Sequence, residues 1–328
     1  SVLLRIAEIH ERREAPNEAI ASLKRTIPMA ALAKRSDVHE QALHQLIGLL
    51  RERHDIDQSE LISAIVELSS LLLSRHDESV ARGVPAGEVL TEVSKLLDVS
   101  PQPAQSPSPH FGRVFALRAS LMARKRDYAA ARKELDMAVK LEPSDYRHWF
   151  RLAVLCLASG DSTAYEQVRQ RLVSGLKSET RRDNIIWSMR AILLRPDPNH
   201  SIPWELCENL LRSQGFGAPP SSAVEEDWIP LLMGMTAYRL EHYGDAQTWF
   251  EYVQSAAKRS SDPSIPICNQ LFMAMNSHHL RLDEEPRALV EAQTAFDEQF
   301  KRLEGTDSQP AFHDILSAKI LREEAELT

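Results

Sequence analysis

Glycine is scarce in this chain, at 11 of 328 residues, there are three cysteines, and aromatic residues make up only 6%. So little glycine argues against a fold built on strands and phosphate-cradling loops, which need backbone freedom at many turns. The cysteines, Cys156, Cys207 and Cys268, are odd in number and too widely spaced for a CxxC metal motif. Each sits among apolar neighbours, as in "AVLCLASG", so we expect buried free thiols in a reducing compartment. No apolar run approaches the roughly 18 residues of a membrane helix, and the start "SVLLRIAEIHERRE" lacks a signal-peptide core. A basic excess is also missing. The formal charge is -8 and the pI about 5.9, which removes nucleic acid from the expected partners. The chain opens in mid-pattern without methionine, so we expect a piece of a longer, cytoplasmic protein.

Catalytic signatures are missing too. There is no kinase glycine-rich loop, HRD or DFG, no GxSxG elbow and no HExxH. "GFGAPP" at 215–220 puts Pro219 and Pro220 where a phosphate-binding helix would donate its amides. "SGLK" at 174–177 fits SxxK but lacks its partner motifs, and reads as a loop after a helix. Among twelve histidines, His278 and His279 would point about 100° apart on a helix, and His39 and His44 fall on different faces. His242 lies at a turn. "HDIDQSE" at 54–60 lacks the glycine and closing glutamate of a calcium loop. We therefore expect no enzyme activity, no cofactor and no metal, with an unrecognised all-α enzyme as the reading from a different class.

Ala, Leu, Glu and Arg, all good helix formers, dominate instead, and 43% of the residues are hydrophobic. Their arrangement repeats. Residues 112–145, "GRVFALRASLMARKRDYAAARKELDMAVKLEPSD", hold two amphipathic stretches that meet at "KRD" and close at Pro143. The first places Phe115, Ala119 and Met122 at helical spacing, and the second Tyr128, Ala131, Leu135 and Ala138. Small Ala119 and Ala131 let the two helices approach. The unit restarts at 146–172 with Trp149, Leu152, Ala153 and Cys156, and turns at Gly160-Asp161.

A third copy has Gly234 and Ala237 before its turn and Tyr243, Ala246, Phe250 and Val253 after it. A fourth has Phe272 and Met275, then Ala288, Ala292 and Ala295. Ala7, Ala19 and Leu23 mark a truncated copy near the start. The density of rings in "AYRLEHYGDAQTWFE" (237–251) then reads as packing code, with Tyr243, Ala246 and Phe250 inside.

This pattern resembles the tetratricopeptide repeat (TPR), a helix–turn–helix of 34 residues. The marks are Phe115 or Trp149, the small Ala119, Ala153 or Gly234, the second-helix Ala131, Ala246 or Ala288, and Pro143. The resemblance implies an all-α fold, an α-solenoid of antiparallel helix pairs in a TPR-like right-handed superhelix. Over about 110–300 the blocks "LAVLCLASGDSTAYEQVRQRLV", "NIIWSMRAILLRPDP", "GMTAYRLEHYGDAQTWFE" and "LFMAMNSHHLRLDEEPRALVEAQ" look like the C-terminal repeat tails of bacterial serine/threonine kinases of planctomycete type. The chain departs from that pattern at Asp283, where such tails carry glycine. The resemblance implies a regulatory or substrate-docking region with its kinase domain outside this chain.

Composition divides the chain into six stretches. Residues 1–97 form an N-terminal helical block with one truncated unit and degenerate helices, followed by a Pro-rich linker at 98–110. Repeats fill 111–212 and 227–303, separated by a loop at 213–226. An acidic segment, 304–328, ends in a final helix, and from 284 onward eleven acids face five bases.

In stacked helical hairpins the first helices line a concave groove, the usual binding face. Arg124, Arg239 and Arg281 each precede a turn there, while Arg113 and Arg147 begin two units. Together they form a candidate cationic ladder for an acidic protein or peptide segment. Ordinary solvation near helix C-termini is the competing reading. Met235, Tyr238 and Met273 complete the candidate groove as an apolar floor, with inter-repeat packing as their alternative role.

Overall fold

A computed structural model describes residues 2–12, 15–52, 58–81, 87–98, 110–197, 201–214, 228–256, 264–280, 290, 294 and 309–325. Among these residues the chain forms fifteen α-helices and no strand. The N-terminal block comprises α1 (Val2–Arg12), α2 (Pro16–Leu32), α3 (Ser36–Arg51), α4 (Gln58–Ala81) and α5 (Gly87–Leu96). The repeats follow as α6 (His110–Arg124), α7 (Tyr128–Leu141), α8 (Tyr146–Ala158), α9 (Ser162–Leu176), α10 (Arg182–Ile192), α11 (Trp204–Ser213), α12 (Trp228–Arg239), α13 (Tyr243–Ala256) and α14 (Ser264–His279). The last helix, α15, spans Gln309–Ala325. None of the described helices is long and apolar enough to cross a membrane.

The expected α-solenoid is what forms. Neighbours in sequence pack as hairpins (α6 on α7, α8 on α9, α12 on α13), and alternate helices pack side by side, α8 on α10, α10 on α12 and α12 on α14. One turn closes four hairpins. Lys34, Arg126, Gly160 and Glu241 all take positive φ, between 52° and 77°. In each case the next amide reaches back to a carbonyl five residues earlier, as Asp127 N–H does to Met122 and His242 N–H to Ala237. This is the Schellman closure, which satisfies carbonyls that the helix end would leave orphaned. Asp127 and Asp161 then cap the next helix, accepting from Ala130 N and Ala164 N at 3.0 and 2.9 Å. Only one of the four left-handed residues is glycine.

Small residues set how closely the helices approach. Ala119, Ala131, Ala153 and Ala246 are fully buried. Gly234 of α12 lies against the ring of Phe250 on α13. A Cβ there would meet Phe250 Cε1 at 2.5 Å, well inside van der Waals contact. The ring density of 237–251 is thus packing. The Tyr238 ring meets those of Phe272 and Tyr243 edge-on, with centroids 5.4 and 5.8 Å apart. All three thiols are buried, as expected. Burial pushes Cys207 up to about 12 and Cys156 up to about 11, which leaves both inert near neutral pH.

Helix α6 serves two cores. Phe111, Val114, Leu117 and Leu121 face the N-terminal block, while Ala116, Ala119 and Ala123 face the repeats. The expected loop at Ser174–Lys177 is instead the last turn of α9, and Ser174 Oγ donates to the Gln170 carbonyl of its own helix. Most of the linker expected at 98–110 and the phosphate-loop look-alike at 215–220 lie outside the described residues, as do Asp283, Ala288, Ala292 and Ala295.

Replacing Glu241 with glycine should stabilise the repeats by about 0.5–1 kcal/mol, because it relieves a left-handed conformation costing roughly 1–2 kcal/mol, a gain partly offset by the freedom glycine adds to the unfolded chain. Gly234→Ala and Ala131→Leu should each destabilise by about 1–3 kcal/mol through overpacking. Urea denaturation checks all three. A neutral Gly234→Ala would contradict the Phe250 contact.

Candidate functional site

Two places on this scaffold gather the residues that could recognise a partner. The first is a surface basin of about 760 Å3 at the N-terminal edge of α6, α8 and α10, where Arg113, Glu142, Asp145, Arg147, Arg181 and Trp187 meet. It brings Arg113 and Arg147 together, two residues of the expected groove. Its charges largely answer one another. Arg147 donates to both Asp145 oxygens at 3.0 and 2.8 Å, and Asp145 also caps α8 through Arg147 N. Neighbouring His148, 4% exposed, brings Nε2 to 3.3 Å from Glu142 and 3.7 Å from Asp145. Glu142, Asp145 and His148 could offer three ligand atoms to one cation. A metal ion would first have to strip Asp145 of Arg147.

The second place is the inside of the solenoid. Helix α15 touches α4, α8 and α14, helices far apart in chain order. Contact with members that distant fits a helix seated on the concave side of the array, the face such solenoids use for binding. Ala318, Ile320, Leu321 and Ala325 join the apolar core of the repeats. At the end of the helix, Glu324 (side chain 9% exposed) binds Arg239 (5% exposed) with two parallel bonds, Nη1 to Oε1 and Nη2 to Oε2, the latter at 2.8 Å. Arg239 Nη2 also donates to the Leu193 carbonyl at the end of α10, at 3.1 Å. Its guanidinium lies 5.6 Å from the centre of the Tyr238 ring and 5.5 Å from that of Phe272. One residue earlier, Glu323 accepts from Arg195 at 3.1 Å.

A buried arginine elsewhere holds this end of the site in place. Arg169 of α9, its side chain 2% exposed, donates to the Pro196 carbonyl at 3.0 Å and pairs with Asp197 at 3.4 Å. Asp197 in turn accepts from Ile202 N at 2.6 Å. The "RPDP" turn after α10 is therefore pinned, and with it the Leu193 carbonyl and Arg195.

The other expected groove residues are scattered. Arg124 bonds back to the Ser120 carbonyl of its own helix at 3.1 Å. Arg281 lies outside the described residues, so the three-arginine ladder is not assembled among them. Met235 and Tyr238, read from the sequence as an apolar groove floor or as inter-repeat packing, are 3% and 7% exposed, which favours packing. The reason is that residues 229–238 of α12 are all buried, so this helix has no free face to offer. Burial also pushes the Tyr238 phenol up to about 12. Met273 packs half-buried against the core and accepts from Asn269 Nδ2 at 3.4 Å. Sequence reading missed Glu324, Glu323 and Arg195. Its one signal for them was the acidic excess after 284 coupled to a final helix.

Comparison with known proteins gives likenesses of shape. No family model and no curated sequence matches the chain, so the likeness to kinase repeat tails rests on the blocks quoted for it. Among solved structures, the chain is similar to NprR in complex with its cognate peptide NprX, at 14% identity and a TM-score of 0.46, covering 87% of this chain and 80% of that one. The apo quorum sensor NprR from B. thuringiensis gives 14% identity and a TM-score of 0.45, over 90% and 80% of the two chains. Yeast Tom70 gives 12% and 0.27, over 89% and 60%.

Removing one partner of a buried ion pair leaves the other uncompensated, at about 3–5 kcal/mol. Arg239→Met and Glu324→Gln should each weaken the docking of α15 by an amount of that order. Amide hydrogen exchange at 317–325 reads this directly. Exchange there should accelerate in both variants while α6–α9 keep their protection. Unchanged exchange would show that the pair does not hold the helix.

Proposed function

We propose that this chain is a non-catalytic helical-repeat module whose inner face binds a helical, acid-bearing segment of a protein. The observation that supports this most is the seat of α15, where a row of packed helices holds one further helix through a small apolar strip and a buried carboxylate–guanidinium pair. Helix-in-groove recognition uses these elements, with anchors at i, i+3 or i+4 and i+7 and charges fixing the register. Arginine suits the role because its planar fork matches a carboxylate bidentately. The basin at the α6–α8–α10 edge supports no comparable reading, since Asp145 is engaged by Arg147 and Glu142 by His148.

A protease site introduced between Gly305 and Thr306 tests the reading. After cleavage the released segment should stay with the repeats through gel filtration at micromolar concentration. On dilution it should dissociate and rebind saturably. Loss of the segment at every concentration, from repeats that keep their helical circular dichroism, would overturn the binding-module reading.

A further inference from the structure

The buried arginines of the repeats find their partners in different places, and the place where Arg239 finds its own carries an inference about the partner. Arg169 pairs with Glu166 of its own helix at 2.7 Å and with Asp197, 28 residues along the chain in the turn after the next helix. Arg190, 5% exposed, has its guanidinium among three aromatic rings, 3.7 Å from the centre of Trp228 and 4.4 Å from that of Trp187. Arg239 instead takes its carboxylate from Glu324, 85 residues later, on a helix outside the hairpins described above. The repeats thus present a cation on their inner face whose counter-charge comes from an added helix. Whatever fills the groove covers that guanidinium. An apolar occupant would leave it buried and unpaired, which is far worse than pairing it.

We propose that α15 is a built-in competitor, and that the physiological partner is an amphipathic helix carrying a carboxylate three residues after a buried leucine, read by Arg239. This inference rests on the groove reading above. The face that α15 presents is Ser317 and Ala318, then Leu321, then Glu324 and Ala325, a single helical stripe at i, i+4 and i+7. Its small residues let the helix lie close to the floor, and Leu321 with Ile320 supplies the large apolar contact. Among the described side chains of 317–325 these two are the large apolar anchors, and Glu324 adds the buried charge that the groove answers. A helix whose register this ion pair fixes exchanges for another that offers the same pair. The partner therefore competes with a tethered segment, and its apparent affinity for the intact chain is lowered by the fraction of time the groove is closed.

The test uses the full chain and a fluorescein-labelled peptide of residues 309–328, read by fluorescence anisotropy. In the Glu324→Lys chain the lysine repels Arg239 and frees the groove. This chain should bind the peptide at least tenfold more tightly than the unmodified chain does. A Glu324→Gln peptide should bind it at least tenfold more weakly than the unmodified peptide. A chain carrying Arg239→Glu should reverse the preference and select a Glu324→Lys peptide. If Glu324→Lys impairs folding, as judged by circular dichroism, the milder Glu324→Gln chain takes its place. Equal binding of the glutamate and glutamine peptides to an opened chain would overturn the carboxylate requirement and leave the groove reading standing. Equal binding of the peptide to opened and unmodified chains would overturn the competitor role. No binding by a folded, opened chain would bring down both readings.

Discussion

The side chain of Arg239 stands at the end of a helix that is buried on every face, and only 5% of it meets solvent. A guanidinium cannot give up its charge, so everything around it must answer that charge. Glu324 does so with two bonds, the Leu193 carbonyl adds a third, and the rings of Tyr238 and Phe272 lie against the cation. The position of α15 and the polarity of the inner face follow from this one group, and Arg169 pins the turn whose Leu193 carbonyl Arg239 uses. Without a carboxylate there, the inner surface of the solenoid would carry an unsatisfied buried charge.

That charge sits on a scaffold built by cheaper means. Each hairpin closes with the same backward hydrogen bond from a residue in the left-handed region, and three of the four such residues are Lys, Arg and Glu rather than Gly. The chain tolerates the strain because the helices on both sides are fixed by packing. Ala119 and Ala131 are fully buried, and Gly234 leaves room for the Phe250 ring. Such packing is local, so each hairpin is specified by a short stretch of sequence. The site is the opposite. It joins α10, α12 and α15, and only the finished solenoid brings those three together.

That contrast explains what the sequence made legible. The hairpins at 112–145, 146–172 and 227–254 were readable because small residues, turns and ring positions recur at helical spacing, and the structure places helices there. The aromatic stretch at 237–251 was readable as packing for the same reason. Arg239 could be singled out as a cation before a turn. For its neighbours Met235 and Tyr238 the sequence left groove floor and packing open together, because periodicity does not show that α12 is covered on all sides. Glu324 was out of reach, since no local pattern couples residues 85 apart. Only the acidic composition of the C-terminal stretch hinted that a negative element belonged near the repeats.

Charge balance also bears on why the occupant is a helix and not an extended strand of chain. The inner face offers its cations near the ends of α10 and α12, with Arg195 answering Glu323 and Arg239 answering Glu324. Consecutive residues on a strand point to opposite faces, so adjacent glutamates could not both turn toward one surface. On a helix they diverge by about 100°, which lets one descend to a buried guanidinium while the other reaches an arginine at the rim. Glu324 is buried and the Glu323 side chain is 52% exposed, the division such a geometry requires. The same spacing keeps Leu321 and Ala325 on the floor beside Glu324, so one helical stripe meets the apolar and the ionic demands of the groove together.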